Sequence, residues 1–140
     1  MAKATITARA IMASAAAVAA LGLATAARAE NWYNFYMVPQ GVAFVDMDSI
    51  IRRPGQISAK IQSTFPEPQH LQKNGQILTY TKSIDTIQID CKARVYRFMS
   101  RDLMDNAGKE QTSISDPDNV MLIRDKTPQD ILAKAFCPKS

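Results

Sequence analysis

Ile87-Gln88-Ile89-Asp90-Cys91-Lys92-Ala93-Arg94-Val95 alternates apolar and polar side chains without a slip. A period of two suits a strand with one face in a core, whereas a helix would scatter the same residues around its whole circumference. The pattern predicts one strand, with Ile87, Ile89, Cys91, Ala93 and Val95 inward and Gln88, Asp90, Lys92 and Arg94 outward. It predicts that the strand continues into Tyr96-Arg97-Phe98-Met99, where a bulge lets both faces become apolar.

Upstream, Ile77–Ile84 reads as a separate strand ending at Asp85, preceded by Asn74-Gly75, the strongest short hairpin signal. Ile57, Ala59, Ile61, Ser63 and Phe65 alternate with Gln56, Ser58, Lys60, Gln62 and Thr64, giving a half-buried strand that Pro66 and Pro68 should stop. Arg53-Pro54-Gly55-Gln56 has Pro and Gly at the centre of a type II turn. Before it lie two short β-prone runs, Asn31–Val38 and Val42–Asp46. Downstream, Asn106-Ala107-Gly108 turns the chain, Glu110–Ser115 pairs back, Ser115–Asp118 is loop and Val120–Ile123 is a short apolar strand or coil.

The period then changes. Thr127 suits a helix cap, Pro128 the first helical position, and Asp130 the first turn, where its charge complements the dipole. Ile131, Leu132, Ala135 and Phe136 form an apolar stripe at helical spacing, ending at Cys137-Pro138. The whole is an α+β domain: a mainly antiparallel sheet of five to seven strands with one C-terminal helix.

The first 29 residues follow a different logic. Lys3 and Arg9 precede an uncharged apolar run, Ile11–Ala26, and Ala27-Arg28-Ala29 has the small-x-small form that a signal peptidase reads. The run is shorter than the ~20 residues of a spanning helix. Residues 1–29 are therefore expected to be a signal peptide and residues 30–140 a single exported domain, in the periplasm or secreted to the cell surface. No Cys lies at the cut to carry a lipid anchor.

Export alters the charge argument. The chain carries 17 basic and 13 acidic residues, net +4. Loss of Lys3, Arg9 and Arg28, with no acid among residues 1–29, leaves about +1, and the remaining charges are mixed along the chain. Nucleic acid is not an expected partner.

Cys91 and Cys137 are the only cysteines. An even count in an exported chain reads as one disulfide; two free thiols and a metal site are the alternatives, and the lone His70 is remote in sequence. With Cys91 on the inward face, such a bond would clamp the terminal helix to the sheet.

Chemistry is sparse. His70 sits in a Pro- and Gln-rich stretch, and without a second His any nucleophile–base pair must use it. Asp46/Asp48 would share a strand face, and Asp116/Asp118 fit a turn. Ca²⁺-loop, phosphate-loop and haem-attachment motifs are missing, so no catalytic residue, metal or cofactor is expected. Trp32, Tyr33, Phe35 and Tyr36 read as core and sheet. The binding candidates are Arg52 and Arg53, suited to an acidic partner, and Lys92 and Arg94 on the charged strand face.

Several of these segments resemble the surface-adhesin protein E family: Trp32, Phe44–Ile50, Arg52-Arg53 before Gly55, Asp90-Cys91-Lys92 with Arg94 and Tyr96, and Thr127-Pro128 closing on Ala135-Phe136-Cys137. The similarity spans residues 32–137. It implies an antiparallel sheet with a C-terminal helix tethered by Cys91–Cys137. It also implies a non-enzymatic envelope protein that binds host-matrix or other envelope proteins, with a dimer possible. The competing class is a periplasmic structural or stress-related accessory protein without an extracellular ligand.

Overall fold

The structure, a computed structural model, describes residues 30–139; the expected signal peptide lies outside the described residues. Seven strands form one antiparallel sheet: β1 (Trp32–Val38), β2 (Gly41–Asp46), β3 (Ile51–Arg53), β4 (Gln56–Lys73), β5 (Gln76–Asp90), β6 (Val95–Met104) and β7 (Glu110–Leu122), followed by helix α1 (Pro128–Phe136). The order across the sheet is β1-β2-β4-β5-β6-β7, with β3 pairing the start of β4. Nearly every link joins chain neighbours through a short turn, so antiparallel pairing follows directly.

The central alternations hold. Ile57, Ala59 and Ile61 of β4 face Ile87 and Ile89 of β5 on one buried side, closed over by Leu132 and Ala133 of α1. Ser58, Lys60, Gln62, Thr86 and Gln88 remain half-exposed on the other. Asn74 and Gly75 both take positive φ, 50° and 75°, as a two-residue hairpin of matching twist requires. Gly55, at φ 72°, completes the β3–β4 turn.

Five expectations fail for identifiable reasons. The strand read through Cys91–Arg94 is a hairpin. The Asp90 carboxylate accepts the backbone N–H groups of Lys92 and Ala93 at 3.0 and 2.8 Å, and Arg94 takes φ 52°. A local side-chain bond thus replaces the ladder and folds the chain back. Ala93 is exposed in the turn, and Val95 pairs with Asp90 instead of continuing the inward row.

Pro66 and Pro68 do not end β4. Its pairing with β5 skips from Thr64–Lys82 to Gln69–Tyr80, so both prolines fall in an irregular stretch that owes no regular ladder bonds there. Beyond it, β4 and β5 pair only with each other, as a two-stranded ribbon that projects past β2 and β6.

Asp85 does not separate two strands. It lies within a continuous β5, where Arg101 of β6 neutralises it. Likewise Ser115–Asp118 belongs to β7, accommodated by register shifts against β6. Asp46 and Asp48 do not share a strand face either. Asp46 caps a single 3-10 turn, Met47–Ser49, accepting the Asp48 N–H at 3.1 Å.

The helix start is as read. The Thr127 hydroxyl accepts the Asp130 N–H, and Pro128 occupies the first turn. Cys137 closes the helix and is bonded to Cys91, with Cα atoms 5.7 Å apart. Among the described residues no helix is long and apolar enough to cross a membrane.

Candidate functional site

The β5–β6 turn grips α1 at both ends. Cys91 holds the C-terminus covalently, and Arg94 holds the N-terminal half through Asp130, whose side chain is 1% exposed. Asp130 accepts from Lys134 Nζ at 2.6 Å, Arg94 Nη2 at 2.7 Å and the Lys126 backbone N–H at 2.9 Å. These bonds, that from Lys134 first, hold its carboxyl well below the usual carboxylate range. Arg94, expected on an outward strand face, is thus engaged within the chain. Lys92 stands exposed at the tip of the turn.

Arg52 and Arg53 part company because neighbouring strand residues point to opposite faces. The Arg52 guanidinium lies 5.3 Å from the centre of the Phe136 ring, on the helix side. Arg53 lies on the other side and lines a hollow of about 280 Å³ with Ile51, Gln56, Ser58, Thr86, Gln88 and Met99. The four sequence candidates therefore do not form one cluster.

The face around Arg53 can be built row by row from the pairing. Ile51, Ser58, Gln88 and Arg97 are successive cross-strand partners, so their side chains leave the sheet together. Arg53, Gln56, Asp90, Val95 and Leu122 form the next row. Met99 enters because the β5–β6 register shifts beside Thr86. No element of the described residues covers this side. Ile51 is 52% exposed and Leu122 75%.

Charge on this face is uneven. Asp90 is occupied by its own turn, Asp102 accepts from the Ser113 hydroxyl, and Lys60 pairs with Glu30 at 3.3 Å. Among the described residues Arg53 makes no ion pair, and Arg97 meets only the Pro117 carbonyl, at 3.4 Å. Arg97 was not among the sequence candidates: carried on without a break, the alternation that turns Val95 inward would turn Arg97 inward too. The turn at 91–94 resets the alternation, so that Tyr96 and Phe98 enter the core and Arg97 leaves it. Two charge-stabilised turn bonds from Asp90 were the only local signal.

The inner face offers one ionisable cluster. Arg101 Nε lies 3.0 Å from Asp85 Oδ1, the Ser83 hydroxyl donates to Oδ2 at 3.0 Å, and the guanidinium sits 4.1 Å from the Phe98 ring centre. Burial pushes the Asp85 carboxyl up, and Arg101 opposes that shift. Ser83 is fully buried, so this serine and acid have no substrate access. His70 is exposed on the projecting ribbon, with Nδ1 3.1 Å from Thr79 Oγ1. Among the described residues no three His, Cys, Asp or Glu side chains gather as a metal site. A groove of about 590 Å³ between the end of β7 and the start of α1 is mainly apolar, walled by Tyr96, Met121, Leu122 and Ile123.

No curated protein matches the sequence. The family described as surface-adhesin protein E matches from residue 33 to residue 138, through all seven strands and the helix, and the chain belongs to that family.

Proposed function

We propose that this is an exported envelope protein, residues 1–29 its signal peptide and residues 30–140 its single domain, acting as a non-catalytic protein-binding module. Its contact surface is the uncovered face of the sheet, with Arg53 inside the contact and Lys92 at the rim. Family membership supports binding over catalysis and a location in the periplasm or at the cell surface. The observation that carries the reading is the composition of that face. Amide, hydroxyl, arginine and methionine side chains lie together around a shallow hollow on a rigid, stapled sheet. Arginine and methionine are enriched at protein interfaces, and a pre-formed surface loses little freedom on docking.

The partners expected from the family are host-matrix or envelope proteins. The test is capture of the purified protein by an immobilised extracellular-matrix preparation, wild type against a Gln56→Ala, Gln88→Ala double variant. Both substitutions empty the centre of the face without touching the core, so the melting temperature should hold while capture falls. Capture that survives unchanged would show that the face is not the contact surface. Absence of any capture, with the protein retained in the periplasm, would favour the periplasmic accessory role.

A further inference from the structure

Resting on the reading of the uncovered sheet face as the contact surface, the geometry points to its occupant: an extended acidic peptide segment of a partner protein, carrying two carboxylates four residues apart with an apolar side chain midway.

Two arginines of this face, Arg53 and Arg97, make no ion pair among the described residues, and they set the spacing. Arg53 lies on β3 and Arg97 on β6, three inter-strand steps apart and two residues out of row. With steps of about 4.8 Å and a rise of about 3.3 Å per residue, their Cα atoms stand roughly 16 Å apart. An extended chain covers about 13 Å in four residues and about 17 Å in five. Only the even spacing presents both acids to the same side of the peptide, and long arginine side chains close the remainder. The residue halfway between the acids then also faces the sheet, over the hollow walled by Ile51 and Met99. Gln56, Ser58, Thr86 and Gln88 line the floor with donors and acceptors that match an extended backbone.

Charge selects the peptide over other anions. A sulfated glycan or a nucleic acid is recognised by a continuous basic stripe. Here two guanidinium groups are separated by amides and an apolar hollow, and residues 30–140 carry almost no net charge. Each guanidinium can take a carboxylate through two parallel N–H···O bonds.

The probe is a fluorescein-labelled peptide with a Glu-Ser-Leu-Ser-Glu core, titrated by anisotropy against the purified disulfide-bonded protein. Saturable binding is expected. It should weaken at least tenfold in the Arg53→Gln, Arg97→Gln double variant, and several-fold when the central Leu becomes Ser or when salt rises from 50 to 300 mM. A Lys73→Gln variant on the projecting ribbon should bind as wild type. Equal binding by the double variant overturns the proposal, as does arginine-dependent binding of a heparin-type oligosaccharide with none of the peptide. No peptide binding, with matrix capture still dependent on Gln56 and Gln88, overturns the peptide chemistry and leaves the contact face standing.

Discussion

Replacing both cysteines, Cys91→Ala with Cys137→Ala, tests whether the helix clasp depends on its covalent half. The bond closes a loop with a sequence separation of 46. Cross-linking a loop of that size removes unfolded-state entropy equivalent to about 4 kcal/mol in the chain-entropy treatment. For a domain of this length each kcal/mol moves the melting temperature by roughly 4–5 °C, so the variant should melt about 15–20 °C lower. The native fold should persist at low temperature, because Arg94 and Lys134 still hold Asp130 and Leu132 remains in the core. Far-UV circular dichroism gives the melt, and denaturant titration supplies a second criterion. An unfolded chain freed of its cross-link exposes more surface, so the slope of stability against denaturant should rise. A fall below about 5 °C with an unchanged slope would refute the argument. It would mean that residual structure in the unfolded chain already restricts it as much as the bond does.

Leu132→Ala should lower stability by about 2–5 kcal/mol in denaturant titration, since that fully buried side chain carries α1 into the core cluster and its loss leaves a cavity. The acid limb of stability should respond to Asp130 and Asp85 in opposite directions. Asp130, held low by Lys134, Arg94 and the Lys126 N–H, stabilises fully above the unfolded value of about 3.9 and loses that contribution as pH falls below it. Asp130→Asn should therefore flatten the loss in melts taken from pH 5 to pH 2. Asp85 is raised by burial, so its ionised form costs stability above its folded value and protonation relieves that cost. Asp85→Asn should steepen the acid loss. Protein recovered from the periplasm should have an intact mass that begins at Glu30; a membrane-retained species keeping Met1–Ala29 would contradict the signal-peptide assignment.

Period-two and period-3.6 patterns are local, and they were legible. Ile57–Ile61 against Ile87–Ile89 fixed a half-buried pair of strands, Asn74-Gly75 fixed the hairpin between them, and Thr127-Pro128 with the stripe to Phe136 fixed the helix. The fold class and the disulfide follow from those elements, because an apolar helix stripe and an inward cysteine need the same surface.

Only the tertiary structure decided which strands end where. A proline is tolerated in β4 because its neighbour β2 has already stopped at Thr64 and the β5 ladder skips a stretch, facts that belong to other segments. Asp85 can stay in the middle of a strand because Arg101, sixteen residues later, arrives beside it. The candidate site depended most on such information. Alternation in sequence cannot show that Asp90 draws two backbone N–H groups into a turn, yet that turn inverts the facing of Val95–Phe98, until the register shift beside Thr86 restores it for Arg101 and Leu103. It sends Arg97 out beside Gln88 and leaves Arg94 to bind a buried acid on the helix. A face built from three or more strands is set by register, and register is fixed by packing between segments far apart in the chain.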